Sequence, residues 1–261
     1  MLEIDRDLQI VKALLGLKRE PVGVKFLFDA EQFDGSDAVR QKGKGTYCNM
    51  IRRAAAGEEI KADAEGFACL AGARALGIVP SDDFVDSGRH YARHGLYKSL
   101  CLSKSVQKDI TFIDHKAYGV EIRPLSKFRE SPDIVILVLN PYQAMRVVQA
   151  YTYNFGVHKE FRLGGNQAFC SECTATPYES CGINLSLLCS GTRAVARWED
   201  DDLAVGMAFD KFSGVAEGLL KTLNAVEPDK KKKEIAQRGE EGSLDLDIEY
   251  GKNYYSGLYR S

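Results

Sequence analysis

Apolar residues recur along this chain at two different spacings. Over residues 3–16, Leu8, Val11, Leu14 and Leu15 share one face of a 3.6-residue repeat, with Asp5 and Asp7 near the start and Gly16 just beyond, which predicts an amphipathic helix. Residues 21–28, PVGVKFLF, alternate as a half-buried strand does, and the proline is tolerated because it stands at the strand entrance. Residues 133–139, DIVILVL, form a continuous aliphatic run of strand length, the pattern of a strand buried on both faces. Asn140 and Pro141 then read as a cap and a first helical position, and Ala144, Val147, Val148, Tyr151 and Phe155 continue one helical face up to Gly156. A strand over 203–209 and a helix over about 212–226 complete the alternation. Strands interleaved with helices predict an α/β or α+β fold, a mixed sheet with flanking helices, in which 133–139 is an interior strand.

Two distant segments repeat one another. Cys69-Leu-Ala-Gly72-Ala-Arg74-Ala and Cys189-Ser-Gly191-Thr192-Arg193-Ala share Gly-x-Arg-Ala, and each is preceded by another cysteine, Cys48 at 21 residues and Cys170 at 19. Two related halves, about 20–125 and 126–228, would be pseudo-symmetric and would bring Cys48, Cys69, Cys170 and Cys189 toward a common axis. The expected organisation is one α/β unit over 1–228, followed at 229–261 by a charged segment and a tyrosine-rich tail. The rings of Tyr250, Tyr254, Tyr255 and Tyr259 suit a contact with the domain or with a second copy in a homo-oligomer.

Composition narrows the compartment. At 261 residues and 44% hydrophobic, the chain has an ample core. Its opening carries acids where a signal peptide carries a basic region, and no stretch approaches about 18 uninterrupted apolar residues, so the expectation is a soluble cytoplasmic protein without a membrane partner. A net charge of -2 with dispersed basic residues argues against a nucleic-acid partner. The dense run Asp229-Lys230-Lys231-Lys232-Lys233-Glu234 is flanked by acids and reads as a solvated helix end or loop.

The cysteines carry the chemistry. Seven in a cytosolic chain do not read as a disulfide framework, and four of them, Cys170, Cys173, Cys181 and Cys189, lie in one short segment. Three readings compete: ligands for a metal or cluster, redox-active thiols, and ordinary buried side chains. Cys170-x-x-Cys173 has a chelating spacing, but the later spacings match neither the ferredoxin run nor a second zinc knuckle. A [4Fe-4S] cluster is preferred to zinc because only one tight cysteine pair is present and the remaining ligands come from separated loops. Gly72 and Gly191 would let backbone approach such a centre, and Arg74 and Arg193 would offset its negative charge or hold an anionic ligand.

Two further constellations are weaker. His90 and His94 stand four apart, the spacing of a metal pair, but on a helix that Gly88 and Gly95 keep short. Gly164-Gly165-Asn166-Gln167 is a candidate phosphate cradle without the lysine of a P-loop, and a flexible turn is the simpler reading. Neither a G-x-S-x-G elbow nor a complete dinucleotide fingerprint is visible.

Pro21-Val22-Gly23-Val24, Cys48, Cys69-x-x-Gly72, the run from Pro132 through Asn140-Pro141-x-Gln143-Ala144-Met145-Arg146, and Cys189-Ser-Gly191-x-Arg193 together resemble the uncharacterised prokaryotic family catalogued as domain of unknown function 169, over about residues 5–225. The resemblance implies a cytoplasmic protein of unassigned function with cysteines at positions 48, 69, 170 and 189. Cys101, Cys173 and Cys181 are then additions of this chain. The expected function is a cysteine-ligated iron-sulfur or other metal protein in electron transfer or small-molecule redox chemistry, an oxidoreductase if an enzyme at all, with a small molecule or a redox protein as partner. The alternatives are a non-catalytic protein that binds a small metabolite or metal and has structural cysteines, and a zinc protein.

Overall fold

The computed structural model describes residues 3–80, 83–114 and 116–257. In chain order the main elements are α1 (Glu3–Leu15), β1 (Val22–Leu27), α2 (Ala30–Gly35), β2 (Val39–Arg40), α3 (Tyr47–Ala55), β3 (Ile60–Asp63), α4 (Leu70–Ala75), α5 (Asp83–Asp86), α6 (Arg89–Ala92), α7 (Leu100–Asp109), β4 (Gly119–Pro124), β5 (Ile134–Leu139), α8 (Pro141–Phe155), a π-helix (Ala168–Ala175), α9 (Thr176–Ser180), β6 (Ile183–Ser186), α10 (Ser190–Ala196), β7 (Leu203–Ala208), α11 (Phe212–Val226) and α12 (Asp229–Glu241). The fold is α/β, and its residues sort into two compact units, each discontinuous in sequence. One comprises 20–138 and 160–209; the other comprises 1–19, 139–159 and 210–261. The division therefore cuts across the sequence halves rather than between them.

The first unit is built on a seven-stranded mixed sheet, in the order β2-β3-β4-β1-β5-β7-β6. Strand β5, expected to be interior, lies between β1 and β7 and is buried along its whole length. Register gives the two faces opposite characters. Ile60, Ile122, Val24 and Ile134 form one apolar row across four strands, and all four belong to the main core. Against that core packs α3, whose Tyr47, Met50, Ile51, Ala54 and Ala55 follow helical spacing. The intervening row is Lys61, Glu121 and Lys25, oppositely charged neighbours on the reverse face. There the Lys61 ammonium donates to the carbonyls of Phe33 and Ser36 at 2.6 and 2.8 Å, and Arg123 pairs with Glu121, Asp37 and Glu59, so each buried cation has acceptors.

The second unit is helical. Asn140 is the expected cap of α8, and with Gln143 it forms a reciprocal capping box; the Gln143 amide also donates to the carbonyl of Leu15 at 2.9 Å. Arg146 and Glu227, both buried, pair at 2.7 Å. The lysine run departs from its expected solvated state at one position. It lies in α12, and Lys232 is fully buried, its ammonium donating to the carbonyls of Asn224, Glu249 and Lys252 at 3.2, 2.5 and 2.6 Å. In the tail, Tyr250, Tyr254 and Tyr255 are exposed, and Tyr259 lies outside the described residues. No helix among the described residues is long and apolar enough to cross a membrane.

Candidate thiol centre

Four cysteines from four separate segments of the sheet unit meet on one side of its core. Thr46 caps α3 by accepting the Asn49 amide, which sets Cys48 in the first turn. Cys69 and Cys189 are themselves the N-caps of α4 and α10. Each sulfur accepts the backbone N–H three residues on, from Gly72 and Thr192, at 3.4 Å in both cases. The two segments matched by sequence thus share one local geometry, although aligning the caps shifts Gly-x-Arg by one position. Cys170 lies on the π-helix and is buried.

The side chain of Thr192 ties the centre together. Its hydroxyl hydrogen bonds with the sulfurs of both Cys48 and Cys189, at 3.2 and 3.0 Å. A methyl group at Gly72 would lie 3.6 Å from the Cys69 sulfur and 3.9 Å from Cβ of Cys170, and one at Gly191 would lie 3.9 Å from the Cys189 sulfur. Both glycines therefore leave open the space that their side chains would take beside the thiols. Burial pushes the Cys48 thiol up to about 12, and the neighbouring Cys189 and Cys69 push in the same direction. Burial likewise raises Cys69, with Cys189 adding to the shift, and raises Cys170 well above the ordinary thiol range, with Cys48, Cys69 and Cys189 all contributing. The four groups lie close enough to oppose one another's ionisation.

The other two predicted ligands, Cys173 and Cys181, are held differently. In the π-helix the amide of Glu172 donates to the carbonyl of Gln167, five residues back. This wider winding puts positions three apart on different sides: Cys170 feels Cys48, Cys69 and Cys189, while Cys173, fully buried, lies near Glu172, Ser186 and, of the four thiols, Cys48. Cys181 is exposed in a left-handed conformation at the end of α9, its thiol on the Tyr178 carbonyl at 3.8 Å. Cys101 is exposed on α7. Arg193 donates to the backbone carbonyls of Leu187, Glu199 and Asp202 and so fastens the loop beyond α10. Arg74 lies over the Phe112 ring, its guanidinium carbon 4.7 Å from the centroid.

The glycine loop holds an anion supplied by the chain itself. The amides of Gly164 and Gly165 donate to one oxygen of the buried Glu172 carboxylate at 2.7 and 3.0 Å, and Ser186 bonds the other. Burial raises the Glu172 carboxyl, and these donors oppose the shift. His90 and His94 have ring centroids 5.7 Å apart, and Arg93 donates to the His94 ring. Among the described residues, no three His, Cys, Asp or Glu side chains are grouped as a ready-made site for a metal ion.

Sequence reasoning missed Thr192, Glu172 and the buried phenols of Tyr47 and Tyr91. Burial raises both phenols, and neighbouring cysteines add to the effect. The available signals were the cap spacing Cys-x-x-Thr for Thr192 and, for Glu172, a carboxylate eight residues beyond a glycine pair.

The sequence profile of the family described as uncharacterised ArCR, domain of unknown function 169, matches residues 10–218. An uncharacterised protein of Methanocaldococcus jannaschii, MJ0308, is 24% identical over 220 residues, which cover 83% of this chain and 94% of the relative. No solved structure matches significantly.

Proposed function

We propose a function for this chain, which belongs to the uncharacterised ArCR family of domain of unknown function 169: Cys48, Cys69, Cys170 and Cys189 hold an iron-sulfur cluster, and the protein works in electron transfer or in the reduction of a small molecule. The observation that carries this reading is that the Thr192 hydroxyl bridges the sulfurs of Cys48 and Cys189, from segments as far apart as α3 and α10, with Cys69 and Cys170 near enough to act on the same thiols. The donor set suits the group, since a [4Fe-4S] cluster takes four thiolates. So does the room beside Gly72 and Gly191.

Cluster ligation is favoured over zinc by the way the thiols face each other. The Thr192 hydroxyl stands between two of the sulfurs, whereas a single tetrahedral zinc needs every sulfur at about 2.3 Å from one point. When bound, the cluster would supply one-electron chemistry. The chain's own contribution is to bring the thiols together; burial holds the protons on Cys48, Cys69 and Cys170, so loading would release them. The Gly72 and Thr192 amides, which already donate to the Cys69 and Cys189 sulfurs, would tune the potential.

The test is protein purified without oxygen, assayed for iron, acid-labile sulfide and visible absorption. The expected outcome is a brown protein from which Cys48→Ser, Cys69→Ser, Cys170→Ser or Cys189→Ser removes most of the iron, because a hydroxyl is a far poorer ligand than a thiolate. Cys101→Ser and Cys181→Ser should keep it. Full iron content in Cys48→Ser or Cys69→Ser would refute the four-thiol site, and zinc without sulfide would select the zinc reading.

A further inference from the structure

A cavity of about 740 Å³ in the sheet unit lies at the far end of α4 from Cys69 and is lined by Arg74, Lys116, Phe28, Ile78, Val79 and Tyr118 among others. That volume falls in the range of small-molecule sites. Its wall is mostly apolar, and what distinguishes it is the state of its charges. Arg40, at the rim, is neutralised by Asp63 and Glu65 at 2.5 and 3.1 Å. Among the described residues the Arg74 guanidinium makes no hydrogen bond or ion pair, its Nε is buried without an acceptor, and it lies over the face of Phe112.

A buried guanidinium nitrogen without an acceptor is costly, and the guanidinium fork matches a planar two-oxygen acceptor. Lys116 adds a second cation and Asp114 a compensating anion, so the cavity suits one negative charge better than two. We propose that this cavity binds a small organic acid, its carboxylate on Arg74 and its apolar body against Ile78, Val79 and Tyr118. The site is separate from the thiols and does not depend on what they hold. It shares α4 with them, Arg74 lying five residues beyond Cys69, about 7 Å along the helix axis.

The experiment is calorimetric titration of the full chain with phenylacetate, with the neutral isostere phenylacetamide and with inorganic phosphate. Phenylacetate should bind saturably with a dissociation constant below about 1 mM, and phenylacetamide at least tenfold more weakly. Phosphate should not compete. Arg74→Met, which keeps an apolar stem over Phe112, should weaken phenylacetate tenfold or more, and Lys116→Gln, on an exposed side chain, a few-fold. Arg129→Gln, which lies outside the cavity, should leave binding unchanged. No saturable binding of phenylacetate to the wild-type chain, equal affinity for the amide, competition by phosphate, or undiminished binding to Arg74→Met would each overturn the proposal; Lys116→Gln serves if Arg74→Met does not fold. Iron content measured on the same preparations separates this outcome from that of the thiol centre.

Discussion

Cys48 shows how much of the site depends on single groups. Its thiol is held up to about 12 by burial and by Cys189 and Cys69, whereas a thiol in an unfolded chain titrates near about 8.5. The folded chain therefore keeps this proton more tightly than the unfolded one, and the associated stability is complete below about pH 8.5 and is lost as pH rises toward 12. For metal-free protein, the unfolding free energy from urea titrations should be level to about pH 8 and then fall, by an amount on the order of 2–4 kcal/mol more in the wild type than in Cys48→Ser. Parallel curves for the two proteins would refute this account. At the residue scale the sequence was most readable where one residue does one local job: Asn140 and Pro141 announced the start of α8, and Gly16, which takes a positive φ of 61°, announced the end of α1. It was least readable where a group serves a distant partner. Thr192 looked like a spacer until the fold put its hydroxyl 3.2 Å from Cys48, 144 positions away.

Among the elements, the π-helix decides which cysteines meet. Read as an α-helix or a turn, Cys170-x-x-Cys173 is a chelating pair; wound with five-residue hydrogen bonds, it gives the two thiols surroundings that share Cys48 but differ otherwise, Cys69 and Cys189 for Cys170 and Glu172 and Ser186 for Cys173. No local pattern in Ala168–Ala175 signals this winding, because it is imposed by tertiary contact. A Cβ on Gly206 of β7 would lie 1.9 Å from the Cys173 carbonyl oxygen and 2.6 Å from its Cα, so strand and helix backbones touch where a glycine allows it. Gly206→Ala should cost about 3 kcal/mol or more, seen as a lowered urea midpoint, and should reduce iron content as Cys170 is displaced. A variant with wild-type midpoint and iron would show that the backbones separate without penalty. The strands were legible for the opposite reason: β1 and β5 carry their period or their aliphatic run openly, and the apolar row from Ile60 to Ile134 follows from it.

On the scale of the whole molecule, the fold class was readable and the partition into units was not, since the alternation of elements is a local property and the sorting of segments is not. Lys232 illustrates the difficulty. Four consecutive lysines look equivalent in sequence, yet one is fully buried and gathers carbonyls from Asn224, Glu249 and Lys252. Lys232→Met would leave three acceptors without this donor, at roughly 1–3 kcal/mol each if they stayed buried. The segment should instead loosen, with faster hydrogen exchange at residues 247–253 and little change in the sheet strands. Unaltered exchange there would mean that other contacts hold the tail.

The discontinuity of the two units also sets a timetable for biosynthesis. The chain emerges in order, yet the helical unit needs residues from 1–19, 139–159 and 210–261, and the sheet unit needs its second stretch, 160–209. At roughly 5–20 residues per second, on the order of ten seconds separates synthesis of Cys48 from that of Cys189. During that interval Cys48 and Cys69 are made before either Cys170 or the Thr192 hydroxyl exists to receive them. Anything held by all four thiols is therefore acquired late, by a chain whose first two cysteines have meanwhile depended on the reducing power of their surroundings.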